Sequence, residues 1–215
     1  MINALSLSER LRQSTEALHL QAERSGYIRK ILRKQASREG YGLFLRSLEP
    51  AYAALEQALV KQGRHDDLLR FDWVALARHT TILGDLSALS NSDWLTAFTL
   101  LPEAEGYARR ITHIQGEAPH RLLGHAYVRY IGDLSGGQIV KAILGQAPGL
   151  SAGMLKFYDF DGIDDAATFK ASFREGLDRV GESAAKSDDI IDEALIAFQH
   201  NIDLSLAVDA QMTLG

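Results

Sequence analysis

The chain has 215 residues, of which 46% are hydrophobic and 24% are charged, and it contains no cysteine. This balance is typical of a globular protein with a sizeable core, and the lack of cysteine excludes disulfides, iron–sulfur clusters and cysteine nucleophiles. A formal net charge of −5 gives no general reason to expect nucleic acid as a partner. The N-terminal letters MINALSLSERLRQ turn polar too early for a secretory signal, and no apolar run reaches the ~20 residues that a membrane span needs. We therefore expect a soluble cytoplasmic protein without a membrane anchor.

Helical patterning extends along nearly the whole chain. Apolar residues recur at intervals of three and four, and convincing alternating strands are missing. The letters SLSE at the start of the first helix form a capping-box pattern, whereas QAPG further on is a break and KFYDFDG is an ordered loop. One all-α domain over residues 1–215 is predicted. Its helices are expected at about 6–32, 37–61, 67–89, 92–99, 103–116, 119–144, 164–180 and 187–210.

The letters LSGGQ, residues 134–138, spell the signature of ATP-binding-cassette ATPases. Such an enzyme also needs a GxxxxGK[ST] loop, in which backbone N–H groups and a lysine hold the phosphates. The chain contains no Gly-Lys dipeptide, and no apolar run ending in Asp-Glu follows the signature. We therefore exclude an ATPase, and the glycines need another explanation.

Gly132, Gly136 and Gly137 lie inside the longest predicted helix. Together they cost roughly 3 kcal/mol of helix propensity relative to alanine. Gly132 and Gly136 are four residues apart, so they share one helical face and leave bare backbone there. Such a helix must kink or approach something closely, and a flat rigid ligand could lie against it. Close packing of another helix at the glycines is an equal alternative at this point.

His19 is followed one helical turn later by Glu23. A carboxylate at that spacing can fix the tautomer of a histidine and leave the other ring nitrogen free for a metal. An ordinary surface pair of histidine and glutamate is the simpler interpretation.

Three basic residues could lie near the same ligand. Arg12 lies two turns before His19 on the same face, and Lys170 and Arg174 are four residues apart on a later helix. These cations could hold two carboxylates at the edge of a ligand, although a solvated charged face would look the same.

Several motifs, in conserved order and spacing over nearly the whole chain, resemble those of the haem oxygenase family, in particular its soluble bacterial members. The long letters HAYVRYIGDLSGGQ resemble the distal-helix motif of that family, and STEALHLQAE resembles its proximal segment. The matching stretches are 14–23, 47–56, 125–138, 157–163, 169–174 and 197–204.

The resemblance implies a helical bundle that holds haem between a proximal helix and a kinked, glycine-rich distal helix. His19 would bind the iron as a neutral imidazole, with Glu23 tuning it. Gly132 and Gly136 would let the distal helix lie over the ring, and Gly137 would support the bend. The resemblance assigns the remaining positions to three groups. A distal water network would contain Tyr52, Arg129, Asp133 and Asn201. The propionates would be bound by Arg12, Tyr127, Lys170 and Arg174, and the pocket wall would include Ser135 and Phe198.

The implied reaction is oxidative cleavage of haem to biliverdin, carbon monoxide and ferrous iron, with haem as both substrate and cofactor. The propionate contacts would fix the ring so that its α-meso edge is cleaved. Dioxygen and external electrons are needed, so a ferredoxin or flavoprotein is expected to dock at the basic edge around Arg12, and the chain is expected to act as a monomer. The alternatives are a haem carrier or sensor without turnover, and an unrelated helical interaction protein.

Two departures from the family pattern are expected to act on the pocket. Ser205 stands where an aromatic is common and would loosen one wall, while Pro50 would tilt the second helix.

Overall fold

The computed structural model describes residues 5–90 and 93–214, and within them the chain is helical with no strand. This confirms the predicted fold class. The α-helices are α1 Leu7–Glu23, α2 Gly26–Leu32, α3 Arg38–Gln62, α4 Trp73–Leu76, α5 His79–Leu89, α6 Trp94–Ala97, α7 Pro102–Glu117, α8 Leu122–Ala126, α9 Gly132–Leu144, α10 Ala166–Val180 and α11 Ala184–Leu214. A five-residue π-helical turn, Tyr127–Ile131, joins α8 to α9.

The first predicted helix is wrong in its length. It begins as expected, because Ser6 and Glu9 form the reciprocal hydrogen bonds of a capping box. However, α1 ends at Glu23, and α2 starts at Gly26 after a corner. Gly26 has a φ of +52°, a left-handed conformation that a continuous helix cannot contain.

The predicted helix over 67–89 is also wrong, since turns replace its first part and α5 begins only at His79. The reason is a partner distant in sequence. Oε1 of Glu56 on α3 accepts hydrogen bonds from the backbone N–H groups of Arg78 and His79, at 2.6 and 2.8 Å. A side chain from another helix therefore caps α5. The predicted start of the next helix at Ser92 lies outside the described residues, and the helix there is α6.

The helix predicted over 119–144 is nearly continuous, but its irregular part is the π-helical turn rather than the glycines. Gly124, just before that turn, permits a close crossing. A Cβ at this position would lie 2.8 Å from backbone atoms of Ala194 and Ile190 on α11. Pro50 lies inside α3, which continues on both sides of it, and the expected tilt of this helix stays a prediction.

The core is rich in aromatic side chains. It contains fully buried Tyr27, Tyr41, Tyr52, Tyr107, Tyr130 and Phe157. The long helix α11 crosses this core and packs against α1, α2, α7 and α8. None of the helices in the described ranges is long and apolar enough to cross a membrane.

Candidate functional site

A cleft runs between α1 and α11 on one side and the π-helical turn with α9 on the other. It consists of two cavities of about 380 and 230 Å³. Both are lined by the same five residues at their junction: His19, Val128, Gly132, Gly136 and Phe198. The two cavities therefore form one continuous site.

Most of the residues selected from the sequence lie on the walls of this cleft. Tyr52 and Lys170 do not line it but contact residues that do. The predicted residues on the walls are Arg12, His19, Glu23, Tyr127, Arg129, Gly132, Asp133, Ser135, Gly136, Gly137, Arg174, Phe198 and Asn201.

The glycines of α9 differ in what surrounds them. A Cβ added at Gly132 or Gly136 would meet no atom within 4 Å, so both present bare backbone to open space in the cleft. Gly137 faces the protein instead, and its Cβ would lie 2.9 Å from Cδ1 of Tyr158. Helix packing at Gly132 and Gly136 is therefore excluded within the described structure, whereas Gly137 packs against the side chain of Tyr158. The expected role of Gly137 in supporting a bend stays a prediction.

Asp133 carries the carboxyl group of the wall formed by α9. The hydroxyl of Tyr52 donates a hydrogen bond to its Oδ2, and the guanidinium of Arg129 lies 5.8 Å from the centre of the Tyr52 ring. Burial raises the pKa of Asp133 to about 6, although Arg129 and the Tyr52 hydrogen bond act in the opposite direction. The carboxyl is thus able to exchange a proton near neutral pH.

Two polar atoms beside Asp133 are buried without a hydrogen-bond partner among the described residues. They are Oδ1 of Asn201 and Nε of Arg129, and both side chains line the smaller cavity. A buried polar atom without a partner costs free energy unless a ligand or water completes it. This part of the cleft is therefore suited to ordered water or to a polar ligand atom.

His19 faces the cleft from α1. Its ring packs edge-on against Phe198, with ring centres 6.0 Å apart, and its Nδ1 lies 3.7 Å from Oε1 of Glu23. The side chain is 58% exposed. His19 lines both cavities, and no other histidine of the described residues lines either of them.

Cations and hydroxyls gather at the open rim of the larger cavity. Arg12, Arg174 and Tyr127 line it, and Nζ of Lys170 donates a 3.4 Å hydrogen bond to Oγ of Ser135. Burial raises the pKa of the Tyr127 hydroxyl, which therefore stays protonated as a donor at neutral pH. The rim can bind anionic groups of a ligand.

Behind the π-helical turn lies a buried polar cluster that the sequence did not reveal. Glu193 on α11 accepts two hydrogen bonds from Arg110 and lies 2.9 Å from Nε2 of His125. Burial alone would raise the pKa of Glu193, but the His125 and Arg110 hydrogen bonds outweigh it and lower the pKa to about 2. The cluster ties α7, α8 and α11 together directly behind the cleft wall.

Thr15 and Tyr158 also line the cleft and were not selected from the sequence. Tyr158 lies in the letters FYDFDGI, one of the matching stretches, so a signal for it was present. Thr15 is buried at 3% exposure on the face of α1 that carries Arg12 and His19, and helical spacing could have indicated it.

The fold and cleft together define a helical protein with a cleft that is lined by a histidine of α1 and by the bare glycine backbone of α9. The family model described as "Heme oxygenase" matches residues 5–207. Among known proteins, heme oxygenase 1 of Nostoc sp. is 34% identical over 93% of this chain and 84% of its own length. Heme oxygenase 1 of Rattus norvegicus is 32% identical over 96% of this chain and 73% of its own length.

Solved structures agree with these matches. The crystal structure of heme oxygenase-1 from Synechocystis sp. in complex with heme has a TM-score of 0.92 and 30% identity, covering 98% of this chain and 95% of that one. The heme oxygenase of Leptospira interrogans has a TM-score of 0.88 and 29% identity, covering 94% and 100%.

The chain belongs to the haem oxygenase family, as the motifs predicted. It is a haem-degrading monooxygenase that takes haem as both substrate and cofactor and uses dioxygen and reductant electrons to form biliverdin. Family membership therefore favours the enzyme over a haem carrier or sensor, and it excludes an unrelated helical interaction protein.

Proposed function

We propose that haem enters the cleft edge-first, with one face against His19 and the other against the bare backbone of Gly132 and Gly136. The observation that carries this proposal is the open space over both glycines in a cleft that His19 also lines. Any side chain at either glycine would fill the space that the ring needs. The residues present thus suit a flat macrocycle.

His19 is proposed as the axial ligand of the haem iron, through a neutral imidazole nitrogen. Glu23 lies 3.7 Å from Nδ1, where it can orient the ring and raise its basicity, directly or through a water molecule. The ring of Phe198 packs edge-on against one side of the imidazole.

Bound haem supplies the iron that activates dioxygen and the ring that is opened. The protein contributes proton control on the other face. The hydroxyl of Tyr52 donates a hydrogen bond to Oδ2 of Asp133. The other carboxyl oxygen, Oδ1, would then hold a water molecule. Arg129 and Asn201, each with an unpaired buried atom, extend the polar surface that would order such water. With a pKa of about 6, Asp133 can deliver a proton to that water and take one back.

We further propose that the rim determines which edge of the ring is cleaved. Arg12, Lys170 and Arg174, with the hydroxyl of Tyr127, would bind the two propionates and stop the ring from rotating. The expected product is the α isomer of biliverdin. Because Lys170 contacts Ser135 on α9, the propionate contacts and the distal helix are held in one arrangement.

The same rim is the proposed docking site of the electron donor. An acidic ferredoxin or flavoprotein would meet Arg12 and Arg174 where the propionate edge comes closest to the surface. We also propose that the monomer is the active unit.

The role of His19 is tested by haem titration of the wild type, of His19→Ala and of His113→Ala. His113 is an exposed residue of α7, where it lies 3.7 Å from Glu117, and it serves as the matched control. We expect absorption spectra of a histidine-ligated haem for the wild type and the control, and loss of that spectrum for His19→Ala. An unchanged spectrum in His19→Ala would show that another group binds the iron.

A further inference from the structure

Ser205 on α11 makes two hydrogen bonds to the corner between α1 and α2. Its Oγ accepts from the backbone N–H of Ile28 at 3.0 Å and donates to the carbonyl of Ser25 at 3.2 Å. Ser25 is the residue before α2, yet its own hydroxyl donates to the carbonyl of Gln21 and caps nothing in α2. Ser205 therefore satisfies an N–H group in the first turn of α2 from a different helix.

The corner also lies unusually close to the backbone of α11. A Cβ at Gly26 would be 2.3 Å from the carbonyl carbon and oxygen of Ser205, and Gly26 has a positive φ. These two features require glycine at this position. The close approach is what brings the Ser205 hydroxyl within reach of both corner groups.

Helix α1 is thus attached to α11 at both of its ends. At the first end, Arg10 donates hydrogen bonds to Ser187 and Asp188, at 2.8 and 2.6 Å. At the other end, the corner is bound by Ser205. Both helices run in the same direction between these points, and His19 faces Phe198 of α11 in the interval.

The end of α1 that Ser205 contacts is the end closer to His19, the proposed iron ligand. Glu23 is the last residue of α1, two positions before Ser25, and His19 lies one turn earlier. Ser205, which is 1% exposed, also lines the smaller cavity together with Ile28 and Asn201. A shift of the corner would therefore move His19, Glu23 and one wall of the cleft together.

We infer that Ser205 is a positioning residue for haem cleavage, because its hydroxyl fixes the end of α1 on α11 and so sets the place of His19 in the cleft. This inference rests on the proposed role of His19 as the iron ligand. The aromatic side chain expected at this position is absent, and the pocket wall is held by hydrogen bonds to the corner instead. The looser wall predicted from the sequence stays a prediction.

The test compares Ser205→Ala with Ser47→Ala in the haem complex. Ser47 is a matched control, since it is a fully buried serine of α3 whose hydroxyl donates to the carbonyl of Leu43. Two readouts are used: amide hydrogen exchange over residues 25–32, and the iron–histidine stretching band of the ferrous complex under nitrogen. We expect Ser205→Ala to accelerate exchange at Ile28 about fivefold and to shift or broaden the band. Ser47→Ala should change neither.

Unchanged exchange at Ile28 would overturn the inference, because the hydrogen bond would then not hold the corner. Faster exchange with an unmoved iron–histidine band would also overturn it, because the corner would then not position His19. If the wild type itself lacked an iron–histidine band, the proposed function of His19 would fail first. That result is distinguishable from the other two by the wild-type spectrum alone.

Discussion

The hydroxyl of Tyr52 donates a hydrogen bond to Oδ2 of Asp133, although the two residues are 81 positions apart in the chain. Tyr52 is fully buried in α3, and Asp133 lies in the first turn of α9 at the wall of the cleft. The contact therefore fixes the carboxyl from behind and leaves its other oxygen for the cleft. It also lowers the pKa of Asp133, against the larger effect of burial, because a hydrogen bond to the ionised form favours that form.

Replacing Tyr52 with Phe should raise the pKa of Asp133 from about 6 by roughly one pH unit. The sign follows because the variant loses a donor to the carboxylate while burial still favours the neutral acid. Carboxyl carbon NMR of the apoprotein over pH 4–9 measures this directly. Tyr27→Phe is the control, since that hydroxyl donates to the carbonyl of Ser37. An unchanged or lower pKa of Asp133 in Tyr52→Phe would contradict this effect of the hydrogen bond.

The raised pKa of Asp133 has a consequence for stability. Its folded-state value of about 6 lies above the usual 3.8, so the folded protein binds the proton more tightly. The contribution of this group to stability is thus fully present below about pH 4 and is lost as pH rises through 6. Asp133→Asn should remove that pH-dependent part from urea unfolding curves measured at pH 4 and pH 7.

Alanine substitutions at two neighbouring glycines should have opposite effects on the apoprotein. Gly136→Ala fills open space in a helix and gains about 1 kcal/mol of propensity, which raises Tm by about 2–4 °C. Gly137→Ala places a methyl 2.9 Å from the ring of Tyr158 and should lower Tm, because overpacking costs about 1–3 kcal/mol. Thermal unfolding followed by circular dichroism compares the two.

The same glycine variants separate stability from haem binding. Gly136→Ala should weaken haem binding about tenfold, since the new methyl occupies the space proposed for the ring. Gly84→Ala in α5, where a Cβ also meets no atom within 4 Å, is the control that should gain stability without loss of haem affinity. Equal haem affinity in Gly136→Ala and Gly84→Ala would place the ring elsewhere.

Glu193→Gln should lower the free energy of unfolding at pH 7 by about 2–4 kcal/mol, because a buried carboxylate that pairs with Arg110 and His125 is lost. The folded-state pKa of Glu193, about 2, lies below the usual 4.5. Its contribution is therefore present above pH 4.5 and is lost as pH falls toward 2. Urea unfolding at several pH values should show the difference from the wild type shrinking over that range. The exposed Glu175 supplies the control, Glu175→Gln, and a difference that stays constant down to pH 2 would argue against the pairing.

Reversing charge at the rim should affect the protein electron donor more than a small reductant. Arg174→Glu should slow turnover with a ferredoxin at least tenfold at low salt, and the effect should fade as salt is added. Turnover with ascorbate and the haem dissociation constant, measured alongside, separate docking from haem binding. Arg109→Glu on α7 is the matched control, since Arg109 is 73% exposed and lies in a groove beside Pro50. Equal losses with ferredoxin and with ascorbate would contradict docking at Arg174, because the substitution would then act on the haem site itself.

The sequence predicted the helical class and most helix positions, but it could not predict two boundaries that depend on distant residues. The start of α5 is determined by Glu56, whose carboxyl group receives two backbone N–H groups from another part of the chain. The break after α1 depends on Gly26 meeting Ser205. Helical periodicity continues across both places, so local pattern alone favours a continuous helix there.

Most cleft residues could be predicted because the motifs that contain them resemble those of the haem oxygenase family. Helical spacing places Gly132 and Gly136 on one face, but it could not show that Gly137 packs against Tyr158. The buried cluster around Glu193 also escaped sequence analysis. Its members come from three helices, and each residue by itself looks like an ordinary surface charge.

The central claim is that Asp133 controls the protons of ring opening in a cleft where His19 holds the haem. The most direct measurement is an absorption time course of wild type and Asp133→Asn, each with one equivalent of haem, ascorbate, air and catalase. We expect both proteins to bind haem with the same histidine-ligated spectrum, and the wild type to convert it to biliverdin at least tenfold faster. Biliverdin formation by Asp133→Asn at the wild-type rate would contradict the claim.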